Sequence, residues 1–519
     1  MTKNTRVWLP SLADVFFLCP FLYLSLSGGR NLLNDGDTGY HIRVGEYIMH
    51  NFTVPRHDIF SFITPPLPWV AHEWLAEVLM ALVHSFSGLT GTVLFFTFLI
   101  AVTYWLLFLA VKSSGANLVV VAGIVLLAII SSSIHWLARP HVFSLLFTVL
   151  WYAILNEYQY RSRSYLWLMP FVMLIWVNLH GGFVIGFVLL GIYFVGNLVT
   201  ALFSTDDDRH LSKQRCKKLL VVTAGSLCLS LLNPVGYSIL LFPLKTVSNQ
   251  FVMNNVLEFL SPNFHGQLPY KYLLLLTVGV TALSRKSLDI IQLTLFLLFL
   301  YMSLYSARYI PLFAIIVAPI VTRQLNSLIP SETRAGRFLQ ERSKNLQLAD
   351  ASAKGFLWPI AAVSLIFALA VTGSIQFNFS DAKLPVHAVE FLKKESIKGK
   401  MFNNDEFGDY LIYAAWPKYK VFFDGRSDMY GEKWGMQYLK VVRLQPGWEQ
   451  VLEKNNMTWV FCHAASPLSA ILLENKDWQL IYADKLAHIF VKRIPAYRSL
   501  IEMHRDIKPF PRSDTGNIS

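Results

Sequence analysis

Charged residues are scarce in this chain. Only 15% of its 519 residues are Asp, Glu, Lys or Arg, whereas 54% are hydrophobic. Soluble domains carry about 25% charged residues, so the composition argues against an ordinary soluble protein and predicts a membrane protein. The net charge of +12 raises the question of nucleic-acid binding. Most of the basic residues, however, lie in short loops between apolar segments, as the orientation signals of membrane proteins do. We therefore expect no nucleic-acid partner.

Paired cysteines and the common nucleotide and zinc motifs are also missing. The four cysteines, Cys19, Cys216, Cys228 and Cys462, have no paired spacing, so no disulfide or zinc framework follows from them. The sequence has no glycine-rich phosphate loop of P-loop spacing and no His-Glu-x-x-His. These absences argue against an ATP-driven pump and against a zinc hydrolase.

Long apolar segments are abundant. A helix needs about 20 apolar residues to cross a bilayer, and eleven segments approach this length. The sequence therefore predicts a polytopic α-helical membrane protein with about eleven transmembrane helices. The predicted spans are residues 11–29, 90–111, 117–134, 141–157, 165–179, 183–203, 218–233, 270–284, 288–305, 308–327 and 356–376. Residues 74–87 form a further helix, which either lies at the interface or starts the second span.

The loops between these spans differ in their content of Lys and Arg. The basic set contains the N-terminus and the segments 209–218 and 328–355, and the positive-inside rule places this set in the cytoplasm. The opposite set contains residues 30–74 and everything after residue 376. We therefore expect a cytoplasmic N-terminus and a multi-pass protein of the inner or plasma membrane. Residues 1–376 would form the transmembrane domain with a long external first loop (30–74), and residues 377–519 an extracytoplasmic domain.

The composition of residues 377–519 is that of a soluble domain. Residues 386–394 have the pattern of an amphipathic helix, and residues 447–454 that of another helix. Residues 420–424, 459–462 and 488–492 are rich in Val, Ile and Phe and predict strands. Alternating helices and strands predict a small α/β domain.

The acidic motif Asp35-Gly36-Asp37 follows the first apolar span. Polar groups at a membrane edge are costly unless they are paired or used. Asp35 and Asp37 are therefore candidates for a general base, or for ligands of a divalent metal such as Mg or Mn. The structural alternative is that Asp37 is the N-cap of the helix that follows it.

A second polar group, His72-Glu73, lies at the end of the same loop. Both residues are candidates for substrate binding. The alternative is that Glu73 is simply an acidic residue before a helix, where acids are common. For Glu77, one turn later, one alternative is a surface position on an interfacial helix.

Three turns on the same predicted side contain basic or imidazole side chains. Arg139 and His141 lie in the turn before the fourth span, His180 precedes two glycines, and Arg308 opens a later span. An arginine at the membrane edge suits a phosphate, because its guanidinium forms bidentate charge-assisted hydrogen bonds. We expect all four residues to contact substrate. The alternative for Arg139 is an interfacial arginine that snorkels to water.

Two further acidic motifs lie in the C-terminal domain. They comprise residues 405–409 and residues 424–430. Because Asp and Gly are favoured in turns, we interpret both motifs as structural.

Four features together resemble the GT-C superfamily of membrane glycosyltransferases: the first span, the external loop with an acidic motif, the interfacial helix and the turn containing Arg139. The pattern is similar to the branch of the protein O-mannosyltransferases and aminoarabinose transferases. The resemblance implies a polyprenyl-phosphate-linked sugar donor, an inverting mechanism and a loop acid that acts as base, here Asp37 or Asp35. It also implies that Arg139 and Arg308 contact the lipid phosphate. The chain departs from the pattern at His141, where many relatives have an acid, and at Asp35-Gly36-Asp37, which replaces two adjacent acids.

The leading prediction is therefore a glycosyltransferase of the cell envelope that moves a sugar from a polyprenyl phosphate to an acceptor glycan, lipid or protein. Membrane lipids are expected to surround it. One alternative is a flippase or transporter of lipid-linked glycans, which would place ionisable groups within its spans. The other is a catalytically silent protein of the same fold that binds a partner.

Overall fold

The computed structural model describes residues 8–266, 268–330, 332–353 and 355–510. Within these residues it contains four strands and a series of α-helices. The helices are α1 Leu12–Tyr23, α2 Asp37–Asn51, α3 Trp74–Lys112, α4 Leu118–Ser132, α5 His141–Arg161, α6 Met169–Leu179, α7 Val184–Phe203, α8 Asp206–Ser230, α9 Ser238–Ser248, α10 Gln250–Asn255, α11 Tyr270–Leu283, α12 Ile290–Tyr305, α13 Ile310–Ser327, α14 Arg334–Ser352, α15 Leu357–Val371, α16 Val386–Glu395, α17 Asp405–Ala415, α18 Ser427–Val442, α19 Trp448–Lys454, α20 Pro467–Glu474 and α21 Arg498–Met503. The strands are β1 Lys400–Asn403, β2 Met457–His463, β3 Trp478–Ala483 and β4 Ala487–Lys492.

The chain divides into two compact units, each built from three segments. The first unit comprises Met1–Gly29, Ser87–Lys245 and Met253–Gln376, and the second comprises Arg30–Phe86, Thr246–Val252 and Phe377–Ser519. The predicted external loop 30–74 therefore belongs to the same compact unit as residues 377–519 rather than to the unit that contains the predicted spans. Helix α3 is interrupted near the boundary at Gly88, whose φ of 60° and ψ of −153° are not helical.

Every one of the eleven predicted spans coincides with helical residues of the first unit. Among the described residues, five helices are long and apolar enough to cross a membrane: Leu12–Leu33, Trp74–Lys112, Leu118–His135, Gly181–Phe203 and Ala307–Ser327. Four apolar helices are shorter: Leu166–Leu179, Tyr270–Leu283, Ile290–Tyr305 and Leu357–Val371. The chain therefore has the helices of an integral membrane protein. The count of eleven crossings and their orientation stay predictions, and residues 1–7, with the expected cytoplasmic N-terminus, lie outside the described residues.

Helix α13 is at the centre of the first unit. It packs against α4, α5, α11 and α12, and every residue from Ile310 to Thr322 is buried. An α-helix that is apolar on all sides is either a buried core helix or a membrane span. Arg308 immediately precedes this helix, so its backbone is held by the best-packed part of the unit.

The second unit contains a four-stranded sheet in the order β1-β2-β4-β3. Strand β1 is parallel to β2, and β4 is antiparallel to both β2 and β3. The side chains of Phe402, Val460 and Phe490 are fully buried in its core. The sheet and the helices packed on it confirm the predicted α/β domain, including the predicted strands at 459–462 and 488–492 and the helices at 386–394 and 447–454.

The predicted strand at residues 420–424 is wrong. This segment makes only an isolated bridge, between Val421 and Ser61. The side chain of Asn403 replaces a neighbouring strand: its Oδ1 accepts from the Phe422 backbone N–H at 2.8 Å, and its Nδ2 donates to the Phe423 carbonyl at 2.7 Å. Buried backbone groups must be paired, but a side-chain amide satisfies them as well as a strand does.

Candidate functional site

The acidic motif of the first loop forms the start of α2. Gly36 is the N-cap residue and Asp37 is the first helical residue, so the expected N-cap role of Asp37 is wrong. The capping interaction belongs to Asp35, whose Oδ1 accepts from the Asp37 backbone N–H at 2.7 Å.

Helix α2 packs closely on α17, and the glycines of the motif permit this approach. A Cβ atom at Gly36 would lie 2.7 Å from the Cβ of Asp409, and a Cβ at Gly39 would lie 2.5 Å from the Cβ of Tyr413. Real Cβ atoms cannot come so close to another carbon. The glycines thus place Asp37 beside Asp409, from the acidic motif that we interpreted as structural.

Asp37 and Asp409 converge on Gly425. A Cβ atom at Gly425 would lie 2.2 Å from the Oδ1 of Asp37 and 3.0 Å from the Oδ2 of Asp409. The backbone N–H of Gly425 donates to the Oδ1 of Asp409 at 2.9 Å. Asp37 is 9% exposed and Asp409 only 3%. Two carboxylates from distant parts of the sequence therefore share one shielded position.

The surroundings of this pair raise the proton affinity of Asp409. Burial raises the pKa of Asp409 well above its usual value, and the nearby carboxylates of Asp37 and Asp424 raise it further. A carboxyl group so placed retains a proton where an exposed one would lose it. Paired carboxylates whose environments favour a shared proton are a recurrent arrangement in acid–base catalysis. No local pattern in the sequence indicates that Asp409 lies beside Asp37, because only the fold brings the two residues together.

The expected divalent metal stays a prediction. Among the described residues, no group of three or more His, Cys, Asp or Glu side chains could hold a metal ion. Asp35 directs its Oδ1 to a backbone N–H. Mg²⁺ often takes only one or two carboxylates and completes its shell with water and substrate phosphate, so Asp37 and Asp409 are the pair that would hold it. We derive no chemical step through a metal.

His72 and Glu73 belong to a second polar cluster of the same unit. Glu73 lies 3.5 Å from the Nε2 of His72 and 3.7 Å from the Nε2 of His41. His41 also contacts Glu77, with 3.1 Å between Nδ1 and Oε1. Burial lowers the pKa of the His72 imidazole, but the hydrogen bond and charge of Glu73 outweigh burial, and the net pKa is raised. This cluster can therefore carry a proton near neutral pH.

Two members of this cluster were not expected. Glu77 is not a surface residue, because it is 1% exposed. A Cβ atom at Gly45 would lie 1.9 Å from the Glu77 carbonyl oxygen, so Gly45 allows α2 to lie directly on the start of α3. His41 and Glu77 face each other for this reason. In the sequence, only helical spacing indicates this cluster. His41 follows Asp37 by four residues and Glu77 follows Glu73 by four residues, so each pair lies on one face of its helix.

Arg426 fastens the first loop to the C-terminal part of the second unit. One Nη atom lies 2.9 Å from Asp58 and 2.7 Å from Asp424, and the guanidinium lies 4.9 and 4.6 Å from the ring centroids of Phe60 and Trp69. Burial alone would raise the pKa of Asp58, but the charge of Arg426 outweighs it and lowers the pKa. This ion pair holds the loop in place and keeps Asp37 on α17.

The two predicted phosphate contacts form an ion-pair cluster in the first unit. The Nη1 of Arg139 lies 2.6 Å from the Oε1 of Glu258, and the Nη1 of Arg308 lies 3.6 Å from its Oε2. Burial opposes the charge of Glu258, but the two arginines prevail and lower its pKa to about 2. Arg139 and Arg308 are thus brought together as expected, and Glu258 is the residue that the sequence analysis missed.

His141 and His180 lie in the same unit, with ring centroids 6.5 Å apart. The Nε2 of His141 lies 2.9 Å from the His135 carbonyl oxygen, to which it donates. The Nδ1 of His180 accepts from the Gly182 backbone N–H at 2.9 Å and lies 2.7 Å from the Ser144 hydroxyl. A Cβ atom at Gly182 would lie 2.4 Å from that hydroxyl. Both imidazoles therefore have structural partners, and contact with substrate stays a prediction for them.

Comparison with known proteins was made at the level of sequence and of structure. No protein-family model matches the chain, and no curated protein matches it. Solved structures do match. The archaeal oligosaccharyltransferase AglB from Archaeoglobus fulgidus, in complex with an inhibitory peptide and a dolichol-phosphate, aligns at a TM-score of 0.55 and 12% identity over 87% of this chain and 69% of that one. The apo crystal structure of the Archaeoglobus fulgidus oligosaccharyltransferase aligns at a TM-score of 0.54 and 11% identity, covering 93% and 74%.

The chain shares the fold of these two oligosaccharyltransferases. They give no support to the branch of O-mannosyltransferases and aminoarabinose transferases. At 11 to 12% identity the likeness shows the fold alone, and function must be argued from the residues of this chain.

Proposed function

We propose that this protein is a GT-C type glycosyltransferase that moves a sugar from a polyprenyl-phosphate-linked donor to an acceptor outside the cytosol. The observation that carries the proposal is the convergence of Asp37 and Asp409 on Gly425. A shielded carboxylate pair has little structural use, since burying like charges is costly, but it suits the removal of a proton from an acceptor. The fold supports the same conclusion, and one neighbour of that fold contains dolichol-phosphate and a peptide.

In the proposed reaction Asp37 is the general base. Its carboxylate takes the proton of the acceptor's hydroxyl or amide group, and the acceptor atom forms a bond to the anomeric carbon. The bond from that carbon to the donor's phosphate oxygen breaks, and the electron pair stays on the phosphate. Asp409 is a positioning residue: it keeps the proton and so leaves Asp37 as the ionised carboxylate of the pair. Asp35 holds the helix start, so we assign it no step.

Arg139 and Arg308 would stabilise the leaving phosphate. Both are partly exposed, at 13% and 25% of their side chains, and charge-assisted hydrogen bonds from guanidinium groups strengthen as negative charge develops on the phosphate. His141 and His180 are proposed to line the donor's approach, and His72 and Glu73 to contact the acceptor. Arg139 and Arg308 belong to the first unit, and His72 and Glu73 belong to the second. The proposed role of each pair is therefore tested with substitutions of its own residues.

The proposal includes the topology expected from the sequence. The eleven spans cross the inner or plasma membrane, and residues 30–74 and 377–519 lie outside the cytosol, where the positive-inside rule puts them. A lipid-linked donor fits this placement, because its isoprenoid tail stays in the bilayer while its head group reaches the loop. A divalent metal is part of the proposal only as Mg or Mn at Asp37 and Asp409, and assays with EDTA followed by added Mg or Mn test it.

The decisive experiment measures release of polyprenyl phosphate by the purified protein in nanodiscs supplied with polyprenyl-phosphate sugars. We expect release in the wild type and a loss of at least about a hundredfold in D37N, the usual scale for removal of a general base. The matched control is D477N, which changes an exposed aspartate of the same unit. Full release by a stable D37N protein would remove the base assignment. Absence of release with every donor, together with movement of lipid-linked glycan across liposomes, would instead favour the flippase.

A further inference from the structure

Six lysines of the second unit form an exposed basic surface, the lysine patch. They come from three segments: the end of α16, the connection from α16 to β1 and the turn after α17. All six side chains are exposed, and the residues are Lys393, Lys394, Lys398, Lys400, Lys418 and Lys420. Buried residues lie next to them in the chain, namely Leu392, Ile397 and Tyr419. Each segment is therefore fixed by its apolar residues while its lysines face solvent.

Hydrogen bonds hold the segments of the patch side by side. The Nζ of Lys418 donates to the Lys393 carbonyl at 2.7 Å, and the Tyr419 hydroxyl donates to the Leu392 carbonyl at 2.6 Å. Residues 396–399 then connect α16 directly to β1. The fold itself therefore brings the lysines together.

The described residues around the patch do not neutralise it. Among them, no carboxylate forms an ion pair with any of the six lysines, and the nearest acids in the sequence have other partners. Glu395 lies 3.4 Å from the Nε2 of His504, and Glu390 lies 3.7 Å from the Nδ1 of His387. Like charges at short range repel one another, so the patch does not serve to stabilise the fold.

Two structural explanations of the patch fall short. Lysines near the C-terminus of a helix interact favourably with its dipole, which accounts for Lys393 and Lys394 but not for the four lysines outside helices. The positive-inside rule counts short loops beside membrane spans, whereas long domains cross the membrane largely regardless of charge. A binding partner with negative charge remains as the explanation.

The type of residue indicates a partner with several separated charges. An arginine suits one phosphate or carboxylate, which it binds with two parallel hydrogen bonds, whereas a lysine is a point charge on a flexible stem. No arginine occurs between residues 386 and 420. No large hydrophobic side chain is exposed between residues 386 and 422 either. Amphipathic surfaces that bind lipid combine basic with exposed apolar residues, and sites for single-stranded nucleic acid use exposed aromatic rings, so a chain of repeated anionic groups fits better than either.

The lysine patch belongs to the same compact unit as the proposed base Asp37. Helix α17 contains Asp409 and leads directly to Lys418. The rise of this helix and the three residues after it keep the Cα atoms of Asp409 and Lys418 within about 20 Å of each other. An extended oligomer can cover such a distance, so one molecule can contact both places.

We propose that the lysine patch binds the acceptor, and that the acceptor is a polymer with a negative charge on each repeating unit, as in an acidic glycan. This inference rests on the proposed function and adds the class of acceptor. The lysines do not touch the reacting atoms. They hold the acceptor chain on the unit that contains the proposed base.

The binding test uses the full-length protein in phosphatidylcholine nanodiscs and two probes with the same backbone. One is an oligogalacturonate, which has a carboxylate on each sugar, and the other is its fully methyl-esterified form, which is neutral. Dissociation constants are measured at low and at high salt. The wild type should bind the acid form at least about tenfold more tightly than the ester, and this preference should weaken as salt rises.

A matched pair of variants locates the binding. The patch variant substitutes three lysines whose side chains make no hydrogen bond among the described residues: K394Q, K398Q and K420Q. The control substitutes three exposed lysines of the same unit outside the patch: K433Q, K454Q and K476Q. Both variants lose the same charge. The preference for the acid form should fall by about tenfold in the patch variant and persist in the control.

The class of acceptor is tested with an extract of the host's cell envelope, separated on an anion-exchange column. Release of polyprenyl phosphate should be stimulated by the retained, anionic fraction, and less strongly in the patch variant than in the control. Stimulation by the unretained, neutral fraction alone would overturn the inference.

The remaining outcomes separate the inference from the proposed function. Equal binding of the two probes by the wild type, or an equal loss in both variants, would overturn the inference. Binding of phosphatidylglycerol vesicles that the patch variant abolishes and oligogalacturonate does not displace would assign the patch to a lipid surface and also overturn it. The binding measurement needs no sugar donor, so it decides the ligand of the patch even if absence of any release refutes the proposed function.

Discussion

The carboxylates of Asp37 and Asp409 approach the same point, the position that a side chain at Gly425 would occupy. Asp37 opens α2, and Asp409 lies in α17. The two helices are far apart in the sequence. Their meeting therefore depends on the packing of the two helices, and four predictions test this packing and its chemical consequence.

Gly425→Ala should inactivate the protein. The new methyl group would lie 2.2 Å from the Oδ1 of Asp37 and 3.0 Å from the Oδ2 of Asp409, so at least one carboxylate must move. Displacement of a catalytic group by about 1 Å commonly costs a hundredfold in rate. Release of polyprenyl phosphate measures the effect. The control is Gly279→Ala, whose Cβ meets nothing within 4 Å; equal activity of the two variants would contradict the arrangement.

Asp409→Asn should stabilise the protein at neutral pH. The pKa of Asp409 is raised in the folded state by burial and by neighbouring carboxylates, so the folded protein binds a proton that the unfolded chain releases. Its contribution to stability is complete below the ordinary pKa of about 3.9 and is lost as the pH rises through the folded-state pKa. The amide keeps the shape but never ionises.

The measurement is thermal unfolding of wild type and D409N in detergent between about pH 4 and pH 8. We expect the free energy of unfolding of D409N to exceed that of the wild type at pH 7, and the difference to shrink toward pH 4. A D409N protein that is less stable at pH 7 would show that the carboxylate is ionised and paired.

Arg426→Met should destabilise the second unit by about 3–5 kcal/mol, because it leaves the buried carboxylates of Asp58 and Asp424 without their counter-charge. Equilibrium unfolding in urea measures the loss. Arg498→Met is the control, since the side chain of Arg498 is 84% exposed and its ion pair should contribute less than about 1 kcal/mol. Equal stability of both variants would mean that Arg426 does not hold the loop.

Asn403→Ala should destabilise the protein by about 2–4 kcal/mol. The substitution removes the side chain that accepts from Phe422 N–H and donates to the Phe423 carbonyl, and unpaired buried backbone groups cost about 1–3 kcal/mol each. Urea unfolding measures the change, with Asn475→Ala in a more exposed turn as the comparison. A change below about 1 kcal/mol would show that water reaches the 420–424 segment.

Much of the architecture was predictable. Eleven apolar segments predicted helices, and each is helical; the alternating pattern after residue 376 predicted an α/β domain, and a four-stranded sheet is there. Hydrophobic patterns indicate secondary structure directly. An element buried on one face has apolar residues at its own period, and a helix buried on all sides is a continuous apolar run. The prediction of a strand at residues 420–424 was wrong because an apolar pattern indicates burial only. A strand also needs a neighbouring strand, and here the side chain of Asn403 accepts the hydrogen bond of the Phe422 backbone N–H instead.

The candidate site was only half predictable. Asp37, Arg139 and Arg308 were expected because acids and arginines at a membrane edge are costly unless used. Their partners Asp409 and Glu258 were not, and the alternative of a surface position for Glu77 does not hold, because Glu77 is 1% exposed. Each of these pairings joins residues on different elements, and nothing in the local pattern of either residue indicates its partner.

The sequence by itself thus determined the class of protein, the positions of its helices and the residues able to bear the chemistry, because composition and periodicity are local properties of the chain. Only the tertiary structure decided which of those residues meet. Gly36 and Gly39 let α2 approach α17, and Ser306 fastens the segment of Glu258 beside Arg308. These contacts decide which charged groups lie near Asp37 and near the two arginines. Charged neighbours in a buried environment shift pKa values and strengthen electrostatic interactions.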